Sequence, residues 1–194
     1  MYHRLLREAS FWAFLFTIDE QLAAAAREAG CGCCGGRLHC ANYPRHPRGG
    51  CEKLPESYGY RLSFCCDRDG CRKRTTPPSV RFLGRKVFLG AVVVLVAAMR
   101  QGPSPRRVRE LSQLFGVDRR TIARWRDFWR EHFPQTAFWK VMRGRFVRLA
   151  IADLPRVLFE AFIQRADSRE DWRRLLEFLS PITITGGLAI KGIS

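Results

Sequence analysis

Apolar residues recur along the chain at two spacings. From Ser10 the run SFWAFLFTIDEQLAAAAREAG sets Phe11, Trp12, Leu15 and Phe16 on one helical face, continues through the strong helix-forming run Ala23–Ala26 and meets a stop at Gly30. Alternation then replaces the helical period. YGYRLSF at Tyr58–Phe64 reads as a strand and Arg37–Tyr43 as another. Pro77 and Pro78 break any regular element, so RKRTTPPSVRFLGRK reads as a charged linker. Beyond it Gly84–Met99 is apolar nearly all round, the pattern of a helix at the centre of a small bundle. GPSP at Gly102–Pro105 makes a turn, with Ser104 as cap and Pro105 at a first helical position. A helix over Arg106–Phe115 turns Val108, Leu111, Leu114 and Phe115 inward. Gly116, Val117 and Asp118 form a three-residue turn: Gly116 supplies the left-handed conformation, Val117 plugs the bundle and Asp118 caps the next helix. That helix, Arg119–Glu131, has a core stripe of Ile122, Trp125 and Phe128 or Trp129. Two amphipathic helices come after it at Leu154–Arg165 and Arg169–Leu179, and the ending ITITGGLAIKGIS alternates like a hairpin strand or forms a tail.

These elements predict a mainly α fold with a small β module. The expected segments are an N-terminal helical segment at 1–30, the β module at 31–75, a trihelical helix–turn–helix at 76–132, and C-terminal helices with a tail at 133–194. A chain of 194 residues, 46% of them apolar, has enough material for a buried core. The uncharged stretch Val87–Met99 is shorter than the roughly 20 residues a bilayer requires, so it reads as buried helix and no membrane is expected. Met1–Arg7 lacks the layout of a secretory signal, which makes the cytoplasm the expected compartment.

Thirty-four Lys and Arg against eighteen Asp and Glu give +16, and nearly all the cations are Arg. The excess lies between Arg37 and Arg148, while both ends are close to neutral. A basic middle between balanced ends points to a polyanionic partner, and Arg is suited to bidentate contact with phosphate and guanine.

The eight cysteines fall within one short stretch, Cys31 to Cys71. In a reducing compartment such clustering points to metal more than to disulfides. CGCCGG places two residues between Cys31 and Cys34 ahead of a glycine pair, and CDRDGC places four between Cys66 and Cys71. Four thiolates from two such turns can close a tetrahedron around Zn²⁺, the arrangement of a zinc ribbon. The expected ligands are Cys31, Cys34, Cys66 and Cys71. Cys33, Cys65, His39 and Cys40 lie close enough to replace one of them, including in a Cys3His set. Too little core surrounds the module for it to fold unaided, so the metal is expected to supply folding energy.

In a helix–turn–helix, the second helix enters the major groove by its N-terminal part. Arg119, Arg120, Thr121 and Arg124 are then the expected contacts to bases and flanking phosphates, with Ala123 a small apolar contact. Arg106 and Arg107 open the preceding helix, where free amides favour phosphate, and Lys73 and Arg74 add charge from the β module. The residues CGCCGGRLH, CCDRDGCRKRTTPPSVRFLG and RELSQLFGVDRRTIARWRDFW carry a resemblance. The stretch from Cys31 to about Arg130 resembles the zinc-ribbon plus helix–turn–helix DNA-binding region of bacterial insertion-sequence transposases and their accessory proteins. In such proteins the module binds element ends and a separate catalytic domain cuts them.

Past the second helix the acidic residues are Asp153, Glu160, Asp167, Glu170, Asp171 and Glu177, spread over helices whose solvated surfaces explain them. About 60 residues are too few for the large mixed fold that two-metal nucleases use. The sequence contains no P-loop, HExxH or GxSxG signature. The expectation is a non-catalytic, sequence-specific double-stranded DNA-binding protein, acting in transposition or transcription. A homodimer and a protein partner on the terminal helices are further expectations. The rivals are a protein–protein adaptor with loose nucleic-acid affinity, an RNA binder, and a truncated transposase that keeps only end binding.

Overall fold

The N-terminal apolar face forms helix α1, Ala9–Ala29, which buries Phe11, Trp12, Leu15 and Ile18. The Trp12 indole donates to the Leu6 carbonyl at 3.0 Å, and the Trp12 carbonyl accepts the Tyr58 hydroxyl at 2.9 Å. The computed structural model describes residues 5–47, 54–82, 89–90, 104–146, 153–165 and 168–184, leaving out the side chains of Arg107 and Leu114. The expected central helix Gly84–Met99 therefore lies outside the described residues except at Leu89 and Gly90, as do Cys51 and the tail beyond Ile184.

Among the described residues, five short strands follow in two antiparallel sheets. β1, Leu38–Cys40, pairs with β4, Phe64–Cys66, and β4 pairs with β5, Arg74–Thr75. β2, Tyr43–Pro44, pairs with β3, Tyr60–Arg61. The expected strand Tyr58–Phe64 is thus divided: Glu56–Gly59 is a 3-10 turn, and only Tyr60–Arg61 and Phe64 onward are extended. The hydrogen bond from the buried Tyr58 to α1 holds that turn, and tertiary packing outweighs alternation.

The expected linker is also different. Ser79, Val80, Arg81 and Phe82 are buried, and Arg81 is 0% exposed. Asp19 of α1, itself 1% exposed, draws them in. Its carboxylate accepts the Ser79 hydroxyl at 2.6 Å, the Val80 amide at 2.7 Å and Arg81 Nε at 2.7 Å. Arg81 also donates to the Ser57 carbonyl at 2.6 Å, and its guanidinium lies over Phe16, Tyr58 and Phe82. Arg61 completes the group, donating to the Pro77 carbonyl with its other nitrogen 3.9 Å from Asp19. Burial lowers the Arg61 pKa, and the Asp19 charge opposes that shift.

Helices α2, Pro105–Phe115, and α3, Arg119–Asp127, meet at the Gly116 turn, where Gly116 has φ +60°. Only the hydrogen-bonding of the expected Arg119–Glu131 helix changes along its length. Past Asp127 it continues as a π turn, Phe128–His132, with the Phe133 amide reaching the Phe128 carbonyl. The wider turn lets Phe128, Trp129 and Phe133 all face inward. α4, Ala137–Met142, comes next with Thr136 as its cap. α5, Arg156–Phe162, and α6, Arg169–Leu179, complete the helices among the described residues.

One hydrophobic cluster joins α1, Tyr58, Val80, Phe82, the helix–turn–helix and the C-terminal helices, and a smaller one of Ala23, Cys31, Leu38, Phe64 and Cys66 sits under the cysteine turns. The apolar faces of α5 and α6, expected to meet a partner, are used inside this chain. Leu158, Phe159, Trp172, Leu175, Leu176 and Leu179 are buried, with Trp172 edge-on to Phe11 and Phe159. The ending, expected as a hairpin strand or a tail, is described only as far as Ile184; its start lies in a 3-10 turn, Ser180–Thr183, whose Thr183 hydroxyl accepts the Ser79 amide at 3.0 Å. Asp171 is likewise no surface carboxylate. It accepts the amides of Gln164 and Arg165 at 3.0 Å each, and the Arg165 amide foremost holds its pKa below the ordinary value. Among the described residues no helix is long and apolar enough to cross a membrane.

Candidate metal centre and basic helix face

The end of α1 leads directly into the first cysteine turn. The Gly35 amide donates to the Cys31 carbonyl at 2.8 Å and the Cys31 amide to the Gly36 carbonyl at 2.9 Å, closing a loop around the Cys31 and Cys34 thiols. A side chain at Gly36 would put its Cβ 3.0 Å from Cys66 Sγ and 3.2 Å from Cys34 Sγ, so only glycine lets the backbone pass this close. The second turn is closed by the Cys71 amide bonding to the Arg68 carbonyl. Arg68 also donates to the Cys34 carbonyl at 3.1 Å, tying one turn to the other.

Together the turns bring Cys31, Cys34, Cys66 and Cys71 into one cluster, with all four sulfurs within 4.8 Å of one another. Cys31 and Cys71 are 3.7 Å apart, and Cys34 and Cys66 are 3.5 Å apart. A tetrahedron with metal–sulfur bonds of about 2.3 Å has edges of about 3.8 Å, so the sulfurs already stand at chelating distance. The chemistry agrees. Amides of Cys33 and then Cys34 lower the Cys31 pKa to about 6. At Cys66 the Arg68 amide favours the thiolate, but burial and the neighbouring thiols Cys34, Cys31 and Cys71 outweigh it and raise the pKa to about 12. A cation held among the four sulfurs would favour the thiolate form of each.

The candidate replacement ligands lie outside this cluster. Cys65 follows the strand rule that successive side chains face opposite ways, and its sulfur bonds to the Arg72 carbonyl at 3.3 Å while Cys66 faces the cluster. His39 pairs with Asp67 at 3.4 Å, and Cys33 and Cys40 are exposed.

On the helix–turn–helix, the Asp118 carboxylate accepts the Thr121 amide at 2.7 Å. That bond foremost keeps the Asp118 pKa below its ordinary value, with the Arg124 charge adding to it. Arg119, Arg120, Ala123 and Arg124 are exposed on α3, as is Arg106 on α2, where it pairs with Glu110 at 3.2 Å. Thr121 departs from expectation. It is buried, and its hydroxyl accepts Arg124 at 3.0 Å, so it steadies an arginine instead of reaching outward. Arg74 is exposed, and its guanidinium also braces the β module, bound to the Ala41 carbonyl at 2.7 Å and lying over Tyr43. Lys73 is exposed. The Arg107 side chain lies outside the described set.

A depression of about 630 Å³ opens between the two helices, lined by Arg109, Ser112, Gln113, Asp118, Arg119 and Arg120. Arg109 and Gln113 are not among the residues expected at the site. Their spacing from Arg106, three and seven residues on, is the signal that places them on one face. Asp19, the hub of the buried group, carries no such signal, since the acidic pair Asp19–Glu20 on a helix reads as solvated. The chain matches no protein-family model, no curated protein and no solved structure. The resemblance to transposase DNA-binding regions therefore rests on the motifs that carry it.

Proposed function

We propose that this chain is a sequence-specific double-stranded DNA-binding protein, held together at its β module by a structural Zn²⁺ and working by binding, not catalysis. One observation carries the reading: a helix capped by Asp118 directly after a three-residue turn, presenting Arg119, Arg120 and Arg124 outward over a core of Ile122 and Trp125. That face is the one a recognition helix turns to the major groove. Arg120 and Arg124 are one turn apart and suited to guanine O6 and N7, with each good bidentate pair worth about 1–3 kcal/mol of discrimination. Arg106, Arg109 and Lys73 supply phosphate contacts. Zn²⁺ suits four thiolates at these distances, and with every ligand position filled by protein there is no open site for water. The chain would act at element ends in transposition or at promoters. The rival of an adaptor docking through the terminal helices finds less support, because their apolar faces are packed inside.

The test is selection of bound duplexes from a randomised library by the zinc-loaded protein at about 0.15 M salt, where phosphate-only binding is weakened. A reproducible motif is expected. Charge reversal, Arg120→Glu with Arg124→Glu, should erase that motif while leaving metal content and the thermal midpoint in place. An unaltered motif in this variant would show that α3 does not read the bases.

A further inference from the structure

Val141 is 79% exposed, an unusual position for a large apolar side chain in a protein with this much core. It sits on α4 beside exposed Lys140 and is followed by exposed Arg143 and Arg145 on the 3-10 turn Arg143–Arg145. From Ala137 to Phe146 there are three cations and no acid. Among the described residues none of the three cations has an ion pair. On α6, by contrast, Arg169, Arg173 and Arg174 are all paired with carboxylates. The arginines of α6 are thus neutralised, while among the described residues no carboxylate compensates Lys140, Arg143 or Arg145.

The group is also rigidly joined to α3. Trp129 lies 4.7 Å from Phe133, and Phe133 lies 5.2 Å from Trp139, centroid to centroid, so a buried aromatic stack connects the π turn to α4. Even a straight helical path from Arg124 to Lys140 would span about 24–32 Å, at 1.5–2.0 Å per residue. That is less than the roughly 34 Å of one duplex turn.

We infer that Lys140, Arg143 and Arg145 form a second contact on the sugar–phosphate backbone of the same duplex that α3 engages, with Val141 lying against deoxyribose between phosphates. The inference rests on the proposed DNA-binding function. Three cations without an ion pair among the described residues complement a polyanion, and the exposed Val141 beside them can lie against a sugar face. This contact adds affinity and orients the protein without adding sequence information.

The test compares the full-length zinc-loaded protein with Lys140→Gln/Arg143→Gln/Arg145→Gln and, separately, with Val141→Asp. All four positions are exposed, and circular dichroism checks that each variant is folded. Binding to a duplex carrying the selected motif is measured from about 0.05 to 0.3 M salt. Each phosphate contact contributes about 0.9 to the slope of log affinity against log salt. The triple variant should lose about 2–3 of slope, bind weaker by tenfold or more at about 0.15 M salt, and select the same motif as the parent. Val141→Asp should weaken binding about tenfold through repulsion of the phosphates. An unchanged slope and affinity in the folded variants would overturn this inference and leave the α3 reading intact. A parent protein that binds no duplex, or prefers an RNA hairpin, would overturn both.

Discussion

Removal of the Asp19 carboxylate is the sharpest test of what joins the cysteine module to the helical core. Asp19 lies in α1, and its oxygens hold Ser79, Val80 and Arg81 at 2.6–2.7 Å. Arg81 and Arg61 are 0% and 3% exposed. Asp19→Ala leaves the Arg81 guanidinium buried without its counter-charge, an event that costs about 3–5 kcal/mol in proteins generally. Against a total stability of about 5–15 kcal/mol this is a large fraction. At roughly 2–4 °C per kcal/mol for a chain of this length, the thermal midpoint should fall by about 6–20 °C. Urea denaturation followed by tryptophan fluorescence reads the same loss, because Trp12 sits on the same helix. The control is Asp19→Leu combined with Arg81→Met. It should be less destabilised than Asp19→Ala alone, since a buried pair replaced by apolar groups no longer strands a charge. Some loss should persist, because Arg61 stays buried beside the former carboxylate. A loss below about 1 kcal/mol in Asp19→Ala, or a double variant weaker than the single, would refute the assignment of Asp19 as the electrostatic hub.

The cysteine cluster and the Asp118 cap each have a measurable consequence. The protein should bind one metal ion per chain, and cobalt substitution should give the absorption of a tetrahedral thiolate complex. Cys34→Ser should lose both, Cys33→Ser and Cys65→Ser should keep them, and a strong chelator should abolish the β structure measured by circular dichroism. The Asp118 cap should show a defined pH dependence. Its folded pKa is depressed below the ordinary 3.8, so its charge stabilises α3 above that value and the benefit is lost as pH falls through the depressed one. Asp118→Asn keeps a capping oxygen without the charge; the thermal-midpoint gap between it and the parent should be present at about pH 6 and close in acid.

Much of this molecule is legible in its sequence, wherever a feature depends on local spacing. The four cysteines sit in turns whose geometry is set by residues within five positions, so CGCCGG and CDRDGC are enough to identify the cluster. The Gly116–Asp118 turn and the Ile122–Trp125 stripe are equally local, a matter of one backbone conformation and one helical period. Where expectation and structure differ, long-range contacts are responsible. Pro77–Phe82 has the composition of a solvated linker, yet Asp19, some sixty residues earlier, draws it into the interior. Thr121 lies among arginines in sequence, but the 100° step of the helix turns it inward beside Ile122. The amphipathic α5 and α6 have apolar faces that sequence can detect but not assign to an occupant; Phe11 and the rest of the core fill that role. The sequence alone determined the helical periods, the turns and the metal-binding residue types, because each is encoded within a few neighbours. The tertiary structure decided which cations are neutralised and which face outward, since that depends on carboxylates brought together from distant parts of the chain.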